Sequence, residues 1–248
     1  MRAVVVGASS GLGRCIAVGL GKRGAQVAVL ARRRDRLQDV AADIGPDALP
    51  IVCDVTDQAS CQSAIEEAAR GLGGIDALVY STGVGNLHRL VDLDADTWRQ
   101  TFDTNVIGAS MITAAALPHL EASQGAAAYL SSTSASETAP LPGLGAYAVS
   151  KAALNKLIDA WRSEHPQVGF TRVIVGDCAG GEGDAMTGFA NEWDFELAAE
   201  LHPLWVTRNL IVGSLMDVEE LVQVVDTVLR CGAGATIPTV AVVPRPPA

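Results

Sequence analysis

The chain has 248 residues, a formal net charge of −10 and a composition that is 49% hydrophobic. The excess of acidic side chains argues against nucleic acid or an anionic membrane surface as the main partner. The length is enough for one large α/β domain or two small ones, and no apolar run approaches the length of a membrane span.

The N-terminus and the cysteines bear on the cellular compartment. An apolar run begins at residue 3, which leaves no room for a signal peptide before it. The five cysteines are scattered, with no CxxC pair and no metal-type cluster with the four histidines. We therefore expect reduced thiols, no metal site and a cytoplasmic location.

Short apolar runs rich in β-branched residues alternate with longer stretches rich in Ala and Leu. The runs predict strands at 3–7, 26–31, 49–54, 76–81, 126–132, 170–176 and 236–243. The longer stretches predict helices at 11–23, 33–43, 57–71, 94–120, 146–164 and 217–230. This alternation is typical of a parallel sheet covered by helices on both faces. No repeat or linker interrupts it, so we expect an α/β fold in which residues 1–248 form a single domain.

One stretch, residues 177–216, breaks this alternation. It is rich in glycine and acidic residues at first and then carries large apolar side chains. These are Phe189, Trp193, Phe195, Trp205 and Met216. A long connection with apolar content predicts a lid or substrate loop that contains short helices.

A glycine-rich turn, GASSGLG, follows the first predicted strand and precedes the first predicted helix. Glycines at this place allow the backbone to turn tightly and to approach a pyrophosphate group, which then rests on the helix N-terminus. The spacing is GxxxGxG, and its position between a strand and a helix favours a dinucleotide site. The predicted contacts in the turn are Gly7, Ser9, Ser10, Gly11, Leu12 and Gly13.

The end of the second predicted strand indicates which dinucleotide is preferred. An enzyme that prefers NAD usually presents an acidic residue there, which holds the ribose hydroxyls. This chain has Ala31, followed by Arg32, Arg33 and Arg34. Guanidinium groups at this position pair with a 2′-phosphate through charge-assisted hydrogen bonds. We therefore predict NADP(H) as the cofactor, with Arg32 and Arg33 among the residues that bind it.

Tyr147 and Lys151 lie four residues apart at the start of a predicted helix. Residues with this spacing share a helix face, so the phenol and the ammonium group are expected to lie close together. A neighbouring cation stabilises tyrosinate and lowers the pKa of a tyrosine from its ordinary value of about 10. A tyrosine tuned in this way is a usable acid or base near neutral pH.

Together these motifs identify the chain as similar to the short-chain dehydrogenase/reductase family. They are the glycine-rich turn, Asp54 after the third strand, Asn105 in a helix, serines at the end of the fifth strand, and Tyr147 with Lys151. Their joint order covers about residues 3–243 and is more specific than any one motif. The resemblance implies a single Rossmann-like, doubly wound dinucleotide-binding domain with a substrate lid at about 177–216.

The resemblance also implies a role for each site residue. Tyr147 is the general acid/base that protonates a carbonyl oxygen as NADPH delivers hydride, and Lys151 lowers its pKa and holds the nicotinamide ribose. Asn105 holds a water that links Lys151 to solvent, and Asp54 and Val55 contact the adenine. A serine orients the carbonyl and stabilises the developing oxyanion.

Two serines are candidates for that last role. Counting thirteen residues back from Tyr147, the common spacing in the family, gives Ser134. Counting along the fifth strand, the second serine of the pair at its end gives Ser132. We favour Ser132, because a strand end fixes a side chain better than a loop does, and Ser134 is the alternative.

The chain departs from the family pattern after the fourth, sixth and seventh strands. After the fourth, relatives have Asn-Asn-Ala-Gly and this chain has YSTG, in which Gly83 is retained and Ser81 and Thr82 can still hydrogen-bond to the cofactor. After the sixth, Asp177 and Cys178 replace Pro-Gly, so no carboxamide-binding residue is assigned. The Asp-Gly-Gly that often follows the last strand in relatives is missing after the seventh strand here, which makes tetramer packing less secure.

The substrate is expected to be a small to medium-sized neutral carbonyl compound or alcohol. The candidate pocket walls are residues 83–95, 133–144 and 178–216. Their large apolar side chains include Leu144, Phe189, Trp193, Phe195 and Trp205. These side chains either form an apolar pocket over the nicotinamide or only pin the lid to the core or to a partner subunit. The acidic residues of the lid, which disfavour anionic substrates, are Glu182, Asp184, Glu192, Asp194, Glu196 and Glu200.

The predicted function is hydride transfer between NADP(H) and a carbonyl or secondary alcohol, with Tyr147 as general acid/base. Two alternatives are left open, a non-catalytic NADP(H)-binding regulator and a dehydratase or epimerase that works through a transient keto intermediate. One fold hosts many reactions, so the resemblance does not decide among them. Relatives pair through the helices equivalent to 94–120 and 146–164, and we therefore expect a homodimer or homotetramer.

Overall fold

The computed structural model describes residues 1–180, 188–190, 193–211 and 213–246. Its strands are β1 (Arg2–Val6), β2 (Gln26–Ala31), β3 (Leu49–Val52), β4 (Ala77–Tyr80), β5 (Ala126–Ser132), β6 (Gly169–Val175) and β7 (Thr239–Val242). They form one parallel sheet in the order β3-β2-β1-β4-β5-β6-β7. All seven predicted strands are present, and the predicted doubly wound parallel sheet is confirmed.

The central strands of this sheet are apolar on both faces. Val4, Val5 and Val6 of β1 and Leu78 and Val79 of β4 have no solvent exposure. A parallel strand that is covered on both sides needs such a continuous apolar run. The chain order reverses between β1 and β4, which lie side by side at the centre of the sheet. In open α/β sheets, the crevice outside the carboxyl ends of the strands at such a reversal is where ligands bind.

Helices cover both faces of the sheet. In the described residues they are α1 (Gly11–Lys22), α2 (Arg34–Ile44), α3 (Gln58–Leu72), α4 (Ala95–Phe102), α5 (Gly108–Ser123), α6 (Gly145–Glu164), α7 (Phe195–Thr207) and α8 (Val218–Leu229). One apolar cluster joins the sheet to α3, α5 and α6, and a second joins it to α1, α2 and α8. The two layers of helices leave the carboxyl edge of the strands to the connecting turns.

Four helices begin at an aspartate. Asp57, Asp94, Asp194 and Asp217 are the N-caps of α3, α4, α7 and α8, and the side chain of each accepts one or two hydrogen bonds from backbone N–H groups of the first turn. The N-cap of α1 is Ser10, whose side chain makes no such bond. The first turn of α1 therefore lacks a capping side chain from this position, which suits it to an external anion.

The prediction of one continuous helix at 94–120 is wrong. The segment consists of α4 and α5, separated by a π-helical turn, Asp103–Ile107, and α5 continues to Ser123. A π turn inserts an extra residue and is frequently found at functional sites. This turn contains Asn105, one of the predicted site residues.

The predicted lid at 177–216 contains a full helix of 13 residues, α7, rather than only short helices. A 3-10 turn at residues 188–190 precedes it. Residues 181–187, 191–192, 212 and 247–248 lie outside the described residues. The same holds for most of the 177–188 loop and for three of the predicted acidic lid residues, Glu182, Asp184 and Glu192.

Three further properties concern the described part of the chain. All five cysteines lie within it, and none forms a disulfide bond. Its His, Cys, Asp and Glu side chains include no group of three or more placed to hold a metal ion. Its helices include none that is both long enough and apolar enough to cross a lipid bilayer.

Candidate active site

The glycine-rich turn after β1 packs too closely against the turn after β4 to admit side chains. A Cβ on Gly13 would lie 2.3 Å from Oγ of Ser81 and 2.4 Å from the carbonyl oxygen of Gly7. A Cβ on Gly7, whose φ is +86°, would lie 2.7 Å from the backbone nitrogen of Thr82. Gly11 also has a positive φ, of 55°. This shape of the backbone therefore requires glycine, which alone adopts it without strain.

Arg33, the N-cap residue of α2, reaches back to the same turn. Its Nη2 donates to Oγ of Ser9 at 2.9 Å and to Oγ of Ser10 at 3.0 Å. Arg32 is exposed beside it, and Leu12 packs against the apolar cluster under α1. The structure thus brings a guanidinium group to the edge of the glycine-rich turn, where the sequence predicts a contact with the cofactor.

Asp54 turns its carboxylate back onto its own loop. Its Oδ1 accepts hydrogen bonds from the backbone N–H of Thr56 at 3.0 Å and from the hydroxyl of Thr56 at 2.8 Å. Both bonds stabilise the charged carboxylate and lower the pKa of Asp54. Val55, the next residue, is buried. The two predicted adenine contacts therefore lie in the loop after β3, with the Asp54 carboxylate bonded within that loop.

The turn after β4 carries Ser81, Thr82 and Gly83. The Ser81 hydroxyl donates to the carbonyl oxygen of Val6 at 2.6 Å, which ties β4 to β1. Oγ1 of Thr82 is buried and finds no hydrogen-bond partner among the described residues. Such a hydroxyl costs free energy unless a ligand or a water satisfies it. Its position against Gly7 therefore suits a polar group of a ligand in the crevice.

Lys151 lies on the inner face of α6 and is only 3% exposed. Its Nζ donates to the carbonyl oxygen of Leu130 on β5 at 2.7 Å. Burial disfavours the charged form and lowers the pKa of Lys151 to about 8. A Cβ on Gly83 would lie 3.2 Å from Nζ of Lys151 and 3.6 Å from Oδ1 of Asn105. The three residues therefore meet at one point of the crevice.

Tyr147 is half-buried, and the protein around its phenol removes most of its hydration. Burial raises the pKa of Tyr147 to about 12, and the polar side chain of Ser132 acts in the opposite direction. Nζ of Lys151 lies 5.8 Å from the centre of the Tyr147 ring. The expectation of a lowered pKa for Tyr147 is wrong for this arrangement, because the loss of hydration raises it.

The two candidate serines are hydrogen-bonded to each other. Their hydroxyl oxygens are 2.9 Å apart, and Oγ of Ser132 also accepts the backbone N–H of Ser134 at 3.3 Å. Of the two serines, Ser132 is the one whose side chain lies near enough to the phenol of Tyr147 to lower its pKa. This arrangement favours Ser132 as the serine that faces a reacting group, with Ser134 as its support.

Asn105 is completely buried in the π turn. Its Oδ1 accepts the N–H of Val84 at 2.8 Å, and its Nδ2 donates to the carbonyl oxygen of Val84 and to Oγ of Ser150, both at 2.9 Å. Ser150 in turn donates to the carbonyl oxygen of Tyr147 at 2.7 Å. The side-chain amide of Asn105 therefore joins the turn after β4 to α6, the helix that carries Tyr147 and Lys151.

The sequence analysis does not identify Ser150 as a site residue. It follows Tyr147 by three positions, so helical periodicity places it near the same face. A single serine in a helix carries no chemical signal of its own, however, and only the position of Asn105 shows what Ser150 contacts.

Aromatic side chains from the predicted lid form a row that ends on Tyr147. Ring centroids are 4.9 Å apart between Tyr147 and Phe189, 5.6 Å between Phe189 and Trp193, and 6.1 Å between Trp193 and Trp205. Phe195 is 71% exposed and does not belong to this row, contrary to the prediction. The row adjoins Tyr147 and also holds α7 on the core. These aromatic side chains can therefore line a substrate pocket and pin the lid at the same time.

Two indole groups fix the aromatic row to the backbone. Nε1 of Trp193 donates to the carbonyl oxygen of Gly85 at 2.7 Å, and Nε1 of Trp205 donates to that of Pro142 at 2.9 Å. A Cβ on Gly85 would lie 2.4 Å from the ring of Phe189. Gly85 therefore provides the space in which this ring lies. Leu144 is buried in the same apolar cluster.

The crevice at the carboxyl ends of β1 and β4 fits a nicotinamide dinucleotide. The glycine-rich turn and the first turn of α1 offer backbone N–H groups to a pyrophosphate. The hydroxyl of Thr82, which has no hydrogen-bond partner in the described part of the chain, lies against this turn, and Lys151 and Tyr147 follow beyond Gly83. Arg33 contacts Ser9 and Ser10 of the turn from the end of β2, where the adenosine ribose of such a cofactor would be.

Comparisons with known proteins identify the family. The family model described as short chain dehydrogenase matches residues 1–194. The chain is 35% identical over 179 residues to 11-beta-hydroxysteroid dehydrogenase A of Sesamum indicum, which covers 70% of this chain and 51% of that protein. It is 36% identical over 179 residues to 11-beta-hydroxysteroid dehydrogenase-like 3 of Arabidopsis thaliana. That match covers 70% of this chain and 57% of the Arabidopsis protein. The chain belongs to the short-chain dehydrogenase family of oxidoreductases, as its motifs predict.

A solved structure agrees with this assignment over nearly the whole chain. The crystal structure of a short-chain type dehydrogenase/reductase from Mycobacterium marinum matches with a TM-score of 0.83 and 29% identity, covering 98% of this chain and 93% of that one. The match to the two plant proteins, by contrast, spans little more than half of their length.

Proposed function

We propose that the protein is an NADP(H)-dependent oxidoreductase that transfers hydride between NADP(H) and a carbonyl compound or secondary alcohol. The observation that carries this proposal is the group formed by the half-buried Tyr147 and Ser132 and the buried Lys151, next to Asn105. An acid, an oxyanion donor and a cation lie together at the carboxyl edge of the sheet. Membership of the family supports the reaction type.

The residues that would hold the cofactor lie along the crevice from Arg33 to Lys151. Arg32 and Arg33 would pair with a 2′-phosphate, and Ala31 offers no carboxylate that would repel it. NADPH, when bound, supplies the hydride. The remaining cofactor contacts would come from Gly7, Ser9, Ser10, Gly11, Leu12, Gly13, Asp54, Val55, Ser81, Thr82, Gly83 and Tyr147.

Tyr147 is the proton donor in the reductive direction. Because burial raises its pKa to about 12, the phenol is protonated at neutral pH, the form that donates to a carbonyl oxygen. Ser132 donates a second hydrogen bond to the same oxygen and stabilises its negative charge. Lys151, whose pKa burial lowers to about 8, is still mostly charged at pH 7 and stabilises the tyrosinate that proton transfer leaves.

The substrate is a neutral, largely apolar carbonyl compound or alcohol. The face of Tyr147 is covered by Phe189, and Trp193 and the buried Leu144 and Leu201 continue this apolar wall. An apolar wall with a few convergent polar groups is the usual composition of a small-molecule site. The names of the sesame and Arabidopsis relatives refer to a hydroxysteroid, which is a substrate of this apolar kind.

The test is an assay of NADPH oxidation on a panel of aliphatic, alicyclic and aromatic ketones, with anionic keto acids as a contrast. We expect turnover of the neutral apolar ketones, and kcat/KM at least about tenfold higher with NADPH than with NADH, because one hydrogen bond to a charged group contributes about 1.5–3 kcal/mol. NADPH binding with no turnover on any ketone would contradict catalysis and favour the regulator. Binding of neither cofactor would contradict the cofactor assignment.

The active molecule is a homodimer or homotetramer. Support comes from Ile107, next to α5, and Val149 on α6, two apolar side chains that are about half exposed, at 47% and 49%. They lie on the two predicted pairing segments. Light scattering coupled to size-exclusion chromatography should give twice or four times the protomer mass. A double variant with I107E and V149E should have the mass of a single protomer. A monomeric wild-type protein would contradict this assignment.

A further inference from the structure

Tyr80 occupies a place where the sequence departs from the family pattern, at the first position of YSTG. Its side chain has no solvent exposure, although it ends in a polar hydroxyl. A buried hydroxyl needs a hydrogen-bond partner, and this one donates to the carbonyl oxygen of Thr104. Thr104 lies in the π turn and directly precedes Asn105.

The fold makes room for this phenol at Gly108, the first residue of α5. A Cβ on Gly108 would lie 2.9 Å from the hydroxyl oxygen of Tyr80 and 2.8 Å from the carbonyl oxygen of Val55. The hydroxyl therefore reaches the π turn only because residue 108 has no side chain. This contact is independent of the hydrogen bond to Thr104, and both place the end of the phenol between the π turn and the loop after β3.

The hydroxyl is in the right state to hold that turn. Burial raises the pKa of Tyr80 well above its ordinary value, so the phenol stays protonated and remains a donor. Its ring is fixed from the side by Tyr129 on the neighbouring strand, with centroids 6.4 Å apart. The donor therefore comes from the rigid centre of the sheet, and the acceptor belongs to a widened helical turn that is less regular than an α-helix.

We propose that Tyr80 is a positioning residue for the active site, because its hydroxyl holds the π turn that orients Asn105. Through Asn105 it fixes Val84 after β4 and Ser150 on α6. Its effect on the reaction rests on the proposed function. Its effect on the π turn does not, since that depends only on the hydrogen bond to Thr104.

The chain offers a matched control for this hydroxyl. Tyr129 on β5 lies opposite Tyr80 on β4 and is only 1% exposed. Its hydroxyl is hydrogen-bonded to Oγ1 of Thr113 at 2.6 Å, and Thr113 lies in α5, beyond the π turn. Tyr80→Phe and Tyr129→Phe each remove one buried hydroxyl and keep the ring. Cooperative thermal unfolding and the far-ultraviolet circular dichroism of both variants establish that they fold.

The first readout is amide hydrogen exchange measured by mass spectrometry. We expect Tyr80→Phe to speed exchange in residues 103–108 and 83–85 by about tenfold, which corresponds to about 1.4 kcal/mol, whereas Tyr129→Phe leaves these segments unchanged. Gly108→Ala, which displaces the phenol by a different route, should reproduce the effect. Unchanged exchange in Tyr80→Phe, or the same increase in Tyr129→Phe, would overturn the proposal.

The second readout is ketone reduction with NADPH. Tyr80→Phe should lower kcat by about tenfold while the KM for the ketone and the Kd for NADPH stay within about twofold, and Tyr129→Phe should keep kcat. Faster exchange with an unchanged kcat would overturn the role in the reaction. A wild-type protein that turns over no ketone would contradict the proposed function instead, and the exchange experiment would still decide whether Tyr80 holds the π turn.

Discussion

The two sides of the candidate site differ in what sets their shape. In the glycine-rich turn, a Cβ on Gly13 would meet a backbone carbonyl oxygen at 2.4 Å, and in the aromatic row a Cβ on Gly85 would meet the ring of Phe189 at 2.4 Å. Backbone in a tight, closely packed turn is costly to move, whereas the ring of a single side chain can turn away. The cofactor side is therefore shaped by the fold, and the substrate side by side chains that can adjust.

Among the variants that compare the two sides, Gly13→Ala should have the largest effect, because its clash with the carbonyl oxygen of Gly7 can be relieved only by moving the backbone. We expect the Kd for NADPH to rise about a hundredfold, which corresponds to about 3 kcal/mol, the upper range for overpacking. Calorimetric titration measures it. The control is Gly21→Ala in the same helix, where the new Cβ meets only the side chain of Ile44. An equal loss of NADPH affinity in both variants would show that the effect comes from a general perturbation of helix α1 and not from the glycine-rich turn.

Arg33→Ala should have the next largest effect. It removes the guanidinium group at the glycine-rich turn, and we expect the Kd for NADPH to rise about tenfold while that for NADH changes by less than about twofold. Arg70→Ala, which removes the same charge in the last turn of α3, is the control. An equal loss of affinity for both cofactors would mean that Arg33 only supports Ser9 and Ser10.

Gly85→Ala tests the substrate side of the site, whose shape is set by side chains. Because the new methyl group displaces the ring of Phe189 rather than backbone, the free energy of unfolding should fall by less than about 1 kcal/mol. The KM for apolar ketones should rise about fivefold, since the ring adjoins Tyr147, while the Kd for NADPH is unchanged. Urea denaturation and steady-state kinetics measure the two quantities. A loss of stability as large as that in Gly13→Ala would remove the distinction between the two sides.

Trp193→Phe should have the smallest effect. It keeps an aromatic ring but loses the hydrogen bond from Nε1 to the carbonyl oxygen of Gly85. A neutral hydrogen bond contributes about 0.5–1.5 kcal/mol, so we expect the KM for apolar ketones to rise about threefold with kcat unchanged. Trp205→Phe loses the equivalent bond to Pro142, farther from Tyr147, and should leave KM unchanged. The reverse result would place the substrate beside Trp205.

The sheet and the order of its helices could be predicted because they follow from local pattern. Runs such as AVVVG are apolar without interruption, and a parallel strand buried on both faces requires that. The closeness of Tyr147 and Lys151 likewise follows from helical periodicity. The glycine-rich turn was recognisable because three glycines stand between a strand and a helix.

Other features depend on contacts that no local pattern contains. The π turn at Asn105 has no sequence signal, since it is held by bonds to Val84 and Ser150 from other elements. The pKa of Tyr147 was predicted in the wrong direction, because the sequence shows the nearby cation but not the burial of the phenol. The substitution of Tyr80 for asparagine looked like a weakened motif, and its partner Thr104 is 24 residues away.

The central claim is that Tyr147 donates the proton in ketone reduction. The most direct measurement compares kcat for NADPH-dependent ketone reduction in the wild-type protein, Tyr147→Phe and the control Tyr129→Phe, with the Kd for NADPH measured alongside. We predict that Tyr147→Phe lowers kcat by about a hundredfold to ten-thousandfold, the usual contribution of a general acid, and still binds NADPH, while Tyr129→Phe retains its kcat. Wild-type kcat in Tyr147→Phe would contradict the claim.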